Sequence, residues 1–321
     1  MTPDALAAAV KAAADDLGFD ACGVTDLAPS GAADALDRWL ALGRHGDMTY
    51  LERQAATRRE PARAWPEARS AVVVLHNYYQ AGPTPAPGRG RVARYALGDD
   101  YHAVMKERLA RLGARLVAAA GRGRFRAYAD AGPLPERELA RRAGLGWVAK
   151  NTMLIHPQLG SFTFIGVLLT DLLVARDDPF EADRCGSCRR CLDACPTGAF
   201  PEPRVLDAPR CISYLTIEAR GPIPAALRPQ VGDWLFGCDV CQEICPWNVR
   251  FASETAEPRY RAREAADWPT LREVVAMSER EFDAAFGATA LERAGRAGLA
   301  RNAAAVLENH GAAGNAACPA A

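Results

Sequence analysis

The run Cys185-x2-Cys188-x2-Cys191-x3-Cys195-Pro196 has the spacing by which bacterial two-cluster ferredoxins hold 4Fe-4S cubes. A second run, Cys238-x2-Cys241-x3-Cys245-Pro246, lacks its own first cysteine, and Cys211 lies between the two to supply it. Eight of the ten cysteines thus form two sets of four, the thiolate complement of two cubes. In the two-cluster pattern the fourth cysteine of each run ligates the other cluster. Cluster one is therefore expected on Cys185, Cys188, Cys191 and Cys245, and cluster two on Cys211, Cys238, Cys241 and Cys195. The prolines stop the chain from winding back and offer no N–H to compete for sulfur. A zinc site favours paired CxxC units and would leave four of these thiols over. A disulfide framework belongs to small secreted domains. Cys22 and Cys318 carry no ligand role, and Cys22 is expected inside a strand. Electrons are expected to pass one at a time and need a destination.

A destination is offered by Tyr128-Ala-Asp130-Ala-Gly-Pro133-Leu-Pro-Glu136-Arg137-Glu138-Leu. A carboxylate at the end of a strand, followed by a Gly-Pro turn into a helix, sits where sites commonly form. Asp130 reads equally as a proton donor and as a turn aspartate. The next stretch, Gly144-Leu-Gly146-Trp147-Val-Ala-Lys150-Asn151-Thr152, combines glycines, an aromatic ring and polar groups. It reads as backbone that approaches a flat ligand, with a helix cap and loop as the plain alternative.

The elements that must position these groups follow from periodicity. Residues 1–175 alternate helical and strand patterns. Strands are expected at 21–24, 71–75, 124–130 and 162–170, and helices at 33–42, 101–119 and 135–143. The N-terminal segment reads as a capped amphipathic helix stopping at Gly18. The stretch 80–90 is Pro- and Gly-rich and reads as an exposed loop. This is an α/β or α+β layered domain. Residues 176–250 form the ligand-bearing segment. Residues 251–313 are helical at 271–276, 279–286, 290–295 and 299–308, and 314–321 read as a disordered tail. The overall class expected is α+β.

Composition sets bounds. The chain has 321 residues, 49% apolar and 24% charged, with 39 basic and 39 acidic side chains. Zero net charge argues against a uniform nucleic-acid-binding coat but allows a local basic face. The arginines between 250 and 301 could form one, or simply a solvated helical surface. No apolar run approaches the ~20 residues of a membrane span, and the N-terminus lacks the pattern of a signal peptide. Oxygen-sensitive clusters and no export signal make the expected compartment cytoplasmic. No GxxxxGK[ST] or GxGxxG fingerprint supports a nucleotide cofactor.

Several ordered motifs now carry a resemblance. They are Asp130-x-Gly-Pro, Glu136-Arg137, Ala-Gly144-Leu-Gly146-Trp147-x-x-Lys150-Asn151-Thr152, Cys211-Ile-Ser213-Tyr-Leu-Thr-Ile-Glu218 and Gly237-Cys-Asp239-x-Cys241-Gln-x-x-Cys245-Pro-Trp-Asn248. With the cysteine runs they resemble the epoxyqueuosine reductase family over nearly the full chain. The resemblance implies a cobalamin-binding domain like that of reductive dehalogenases over 1–175 and a ferredoxin-like domain over 176–250. It implies a short HEAT-like, tRNA-contacting segment over 251–313. The implied reaction is reduction of epoxyqueuosine to queuosine at the tRNA wobble position, the last step of queuosine synthesis.

Asp130 becomes the implied proton donor, kept neutral near pH 7. Arg58, Tyr95, His102, Lys150, Asn151, Ser213, Asp239 and Val240 become cofactor contacts. An external one-electron donor such as flavodoxin or ferredoxin and a monomeric state are implied too. Alanine stands at 149 where members often have glycine, and Pro135 follows Leu134. Two rival readings remain: a dehalogenase-like reductase acting on a small molecule, and a plain electron carrier.

Overall fold

The computed structural model describes residues 1–82, 87–263 and 268–316 of the chain. The first helix, Pro3–Asp16, begins where the Thr2 side chain accepts the Ala5 N–H and Pro3 occupies the first turn. It ends as Gly18 takes φ +77°, a conformation glycine adopts without a Cβ penalty. Strands β1 (Ala21–Thr25) and β2 (Ser70–Asn77) follow, then a short β3 (Arg91–Val92). The helix Tyr101–Ala120 leads into β4 (Phe125–Ala129), and the helix Glu136–Arg142 into the small hairpin of β5 (Trp147–Val148) and β6 (Leu154–Ile155). The long β7 (Thr163–Thr170) closes the sheet. Late in the chain β8 (Trp234–Phe236) pairs in parallel with β3.

The main sheet has the order β1-β2-β7-β4, and every pairing in it is antiparallel. This sharpens the expectation for residues 1–175: the layers are α+β, without the parallel crossovers of an α/β sheet. The periodicity that located each strand carries no information about its direction. All eight residues of β2 are buried because both faces of the sheet are covered. Val72 and Val74 point to the helices Pro3–Asp16 and Tyr101–Ala120, with Leu109 and Leu168 in the same core. Ala71, Val73 and Leu75 point to the other side, against Leu139, Ala140 and Trp65. Cys22 lies in β1 and is half-buried; burial pushes its thiol up to about 12.

Between 184 and 251 regular structure shrinks to single helical turns such as Arg190–Asp193, Val240–Glu243 and Pro246–Phe251. The helices Leu271–Ala276 and Glu279–Phe286 each open on a complete capping box, from Thr270 and Ser278. Leu271, Val274, Phe282, Phe286, Leu291, Leu299 and Val306 join the same core as Leu109 and Met105. The C-terminal helices thus complete the N-terminal core rather than standing apart as a repeat. Where a break between two helices was expected at 296–298, one helix runs Gly295–Ala316. It passes the expected end at Gly311 into the segment read as a disordered tail, because its alanines favour the helix. Cys318 lies outside the described residues, as does part of the 80–90 loop. No described helix is long and apolar enough to cross a membrane.

Leu109 is fully buried on the helix Tyr101–Ala120, beside Gly166 of β7. Leu109→Ala should destabilise the fold by about 2–5 kcal/mol, read by denaturant unfolding monitored by circular dichroism.

Candidate functional site

The second cysteine run is anchored by a buried hydrogen-bond network. Asn248 accepts the Ser161 N–H at 2.6 Å and donates to the Ser161 hydroxyl and the Gln242 carbonyl at 2.9 and 2.8 Å. The Ser161 hydroxyl donates to Gln242 at 2.9 Å, and Gln242 donates to Asp239 at 3.1 Å. Asp239 in turn accepts the Arg94 N–H at 2.8 Å. Gly160, at φ +75°, leaves room for this: a Cβ there would lie 2.1 Å from the Asn248 side-chain oxygen.

A cavity of about 40 Å³ has a lining that includes Cys185, Cys188, Cys191 and Cys245, with Lys150, Asn151 and Trp247. Burial and the neighbouring Cys245, Cys185 and Cys188 thiols push Cys191 up to about 11. Trp147 Nε1 donates to Cys185 Sγ at 3.4 Å. The second set also converges. Burial pushes Cys238 up to about 12, with Cys211, Asp239 and Cys195 adding to it and the Val240 N–H opposing it. Cys241 is driven well up by burial and then by Cys211 and Cys238, and Cys191 contributes too, so the sets adjoin. All nine described cysteines are free. Among the described residues no group of His, Cys, Asp or Glu is gathered tightly enough to hold a single metal ion. Thiols spread around a cavity suit a cube, in which each meets a separate iron.

Several residues expected at a cofactor sit elsewhere or work differently. Lys150 donates to the Gly186 and Cys188 carbonyls, and Asn151 to the Cys241 carbonyl, so both brace the cysteine loops. The Ser213 hydroxyl and N–H and the Tyr214 N–H are directed at the Cys211 sulfur and oppose the upward push of burial on that thiol. The Asp239 side chain is 1% exposed and engaged by Arg94 and Gln242. Its carboxyl is raised by burial, against the pull of Arg94. Val240 is half-buried beside it. Arg58 donates to the carbonyls of Leu134 and Gly132, which fixes the Gly-Pro turn after Asp130, while its buried Nε has no partner.

Asp130 ends the edge strand β4 at φ +58°, a costly conformation for a residue with a Cβ. Its N–H donates to Glu136 at 2.8 Å. Its Oδ2 accepts the Tyr101 hydroxyl at 2.5 Å and lies 3.6 Å from His102 Nε2. Tyr101 and His102 open the helix Tyr101–Ala120, whose N-cap Asp100 also receives His102 Nδ1 at 2.8 Å. The side chain of Asp130 is 66% exposed, held on one flank and open on the other.

The expected neutral carboxyl is corrected here. Desolvation works upward on Asp130, but hydrogen bonds from His102 and Tyr101 bring it below the ordinary carboxylate range. The positive end of the helix acts in the same direction. The proton sits instead on the neighbours. Burial alone would lower His102, yet its bonds to Asp100 and Asp130 carry it to about 9. Burial, with the Asp130 charge, raises Glu136 to about 8. Tyr101, Glu136 and Arg137 escaped the sequence reading as site residues, although Glu136 and Arg137 fall in a motif quoted above and Tyr101 adjoins the expected His102. Tyr95 lies between this group and the thiols. Its ring is 5.9 Å from Tyr101 and 6.1 Å from Phe236, and it approaches Gly237 next to Cys238.

Paired thiol sets beside a proton-bearing cluster define an iron–sulfur oxidoreductase, and comparison with known proteins agrees. Residues 184–248 match the family model of a 4Fe-4S double cluster binding domain, and residues 58–131 match that of epoxyqueuosine reductase QueG. The chain is 41% identical to the epoxyqueuosine reductase of Pseudomonas aeruginosa, over 96% of this chain and 86% of that one. It is 40% identical to that of Escherichia coli, over 95% and 81%. A structure of epoxyqueuosine reductase with an epoxyqueuosine-modified tRNA-Tyr stem loop superposes with a TM-score of 0.85 at 33% identity, covering 94% of this chain and 80% of that one. The chain belongs to the epoxyqueuosine reductase family.

Tyr101→Phe removes one of the two donors that keep Asp130 ionised. The Asp130 carboxyl should then titrate at higher pH than in the unaltered protein, read by carbon-13 NMR of labelled aspartate.

Proposed function

We propose that this chain reduces epoxyqueuosine to queuosine at the wobble position of tRNA, as its last synthetic step, drawing on cobalamin and two 4Fe-4S clusters. The observation that carries this is the Asp130–Tyr101–His102 group, linked through Tyr95 to the segment bearing Cys238. A plain electron carrier has no use for such a group.

Cluster one rests on Cys185, Cys188, Cys191 and Cys245, and cluster two on Cys211, Cys238, Cys241 and Cys195. The residues near Tyr95 fit cobalamin: Arg58 keeps a buried, unpartnered Nε, and Tyr95, Ser213 and Val240 are each only partly buried. These side chains, with the backbone at Asp239, would hold the corrin. When bound, cobalamin supplies a reduced cobalt nucleophile able to open an epoxide. An external one-electron donor such as flavodoxin or ferredoxin supplies the electrons.

The net change adds two electrons and two protons to the epoxide and releases its oxygen as water, leaving an alkene. The residues here manage the protons. Asp130 stands at the open flank of the site, where its Oδ2 can pass a proton to the departing oxygen. Because Asp130 is itself ionised, that proton is drawn from His102, 3.6 Å away. Glu136, protonated to about pH 8, stands beside Asp130 as a second store. The exposed end of β4 suits a base flipped out of the anticodon loop. Of the arginines between 250 and 301, Arg259, Arg293 and Arg296 are paired to glutamates and Arg301 to carbonyls. Arg250, Arg261, Arg272 and Arg280 are exposed and make none of the ion pairs found among the described residues, so phosphate contacts fall to them.

Asp130→Asn should retain iron and bound cobalamin but lose turnover on epoxyqueuosine-containing tRNA by about 100-fold or more; full activity would overturn the assignment. Single-turnover rates should hold to about pH 8 and fall as pH rises through about 9, because Glu136 and His102 are protonated below those values. Cys245→Ser should remove one cluster, lowering iron from about eight to about four atoms per chain by colorimetric assay.

A further inference from the structure

The Arg301-Asn302-Ala303 motif lies in the helix Gly295–Ala316, behind the segments that carry Cys211 and Cys238. Asn302 is fully buried. Its amide nitrogen donates to the Thr216 carbonyl at 2.7 Å and the Leu235 carbonyl at 3.0 Å. Its oxygen accepts from Arg301 at 2.9 and 3.1 Å. Arg301 also donates to the carbonyls of Leu215, Ala219 and Gly221, each at 2.7 Å. Thr216 completes the arrangement: its hydroxyl accepts the Gly237 N–H at 2.9 Å and donates to the Ile212 carbonyl at 2.7 Å.

These bonds join two particular peptides. The helix Ile212–Ile217 starts immediately after Cys211, and β8 ends two residues before Cys238. Asn302 holds the far end of the first and the near end of the second, while Thr216 ties the first directly to Gly237. We propose that Asn302 and Thr216 are positioning residues for cluster two, setting the Cys211–Cys238 separation from behind. This rests on the reading that those two cysteines serve one cluster. The arrangement is selective: among the described hydrogen bonds, none runs from the helix Gly295–Ala316 to residues 184–195. Both amide hydrogens and the amide oxygen of Asn302 are used, so an apolar side chain of similar size would strand two carbonyls beside the ligand segments. The segment expected to contact tRNA thereby acquires a role at the metal centre.

The test compares anaerobically reconstituted full-length protein with Asn302→Leu and Thr216→Val. Arg228→Ala serves as a control that breaks a different contact of the same helix, Arg228 with Glu308. Iron content, electron paramagnetic resonance during redox titration, and the rate of iron loss to a chelator are read on each. Asn302→Leu and Thr216→Val should move one cluster's potential, leave the other's unchanged, and speed chelator loss from the moved cluster about ten-fold. Arg228→Ala should match the unaltered protein. Equal effects on both clusters, or unaltered behaviour in both variants, would overturn the proposal. An unaltered protein that binds only about four irons would overturn the ligand reading beneath it instead.

Discussion

The structure depends on holding two cysteine runs, some fifty residues apart in sequence, at one fixed separation. Each set of four thiols draws members from both runs, so neither set survives if the runs part. The adjacent residues Lys150 and Asn151 meet this constraint, Lys150 donating to the Gly186 and Cys188 carbonyls of the first run and Asn151 to the Cys241 carbonyl of the second. The buried side chains of Ser161, Gln242 and Asn248 secure the second run, satisfying one another across two chain segments, and the low dielectric around them makes any broken member expensive. Asp239 and Arg94 tie the second run to the short turn Arg94–Ala96 that precedes the helix bearing Tyr101.

Around Asp130, burial works against every charge, and hydrogen bonding decides which groups keep theirs. Asp130, Glu136 and His102 lie within one turn of chain and one helix start, yet they settle in different protonation states. Asp130 receives donors on its oxygen and stays ionised. Glu136 accepts only a peptide N–H, faces the Asp130 charge, and keeps its proton. His102 sits between two carboxylates and holds its charge. Two carboxyls in similar surroundings are pushed apart, so that an ionised carboxylate stands beside a protonated one.

Much of this was legible in the sequence, and the divisions are physical. Spacing grouped Cys245 with the first run, because a short loop has few ways to supply three ligands to a cube, and those four side chains line one cavity. The expected strands of the main sheet and most expected helices lie within a residue or two of their observed bounds, but the last helix is longer at both ends and β3, β5, β6 and β8 were not anticipated. The antiparallel order of the sheet did not, since alternation along a strand is blind to its partner's direction. Nor could spacing reveal that Lys150 and Asn151 brace cysteine loops, or that Asp239 turns inward to Arg94. Those depend on contacts between residues far apart in sequence. Asp130 was found by its motif, but its ionisation was not, because the donors that set it come from a helix some thirty residues earlier.

The C-terminal helices show how one core can serve both ends of the chemistry. Leu271, Phe282, Phe286 and Leu299 pack with the sheet helices, so these segments are bound to the N-terminal layers by apolar contact. From the same segment Arg293 grips Glu218 with two bonds, at 3.0 and 2.8 Å, at the end of the helix that follows Cys211. Arg301 and Asn302 reach the same helix and β8 through backbone carbonyls. Apolar packing fixes where the C-terminal helices lie, and their polar side chains then fix where the Cys211 and Cys238 segments lie relative to the sheet. Tyr95 and Tyr101 bridge the remaining interval to Asp130. The distance between the second thiol set and the carboxylate is thus governed by the shared hydrophobic core.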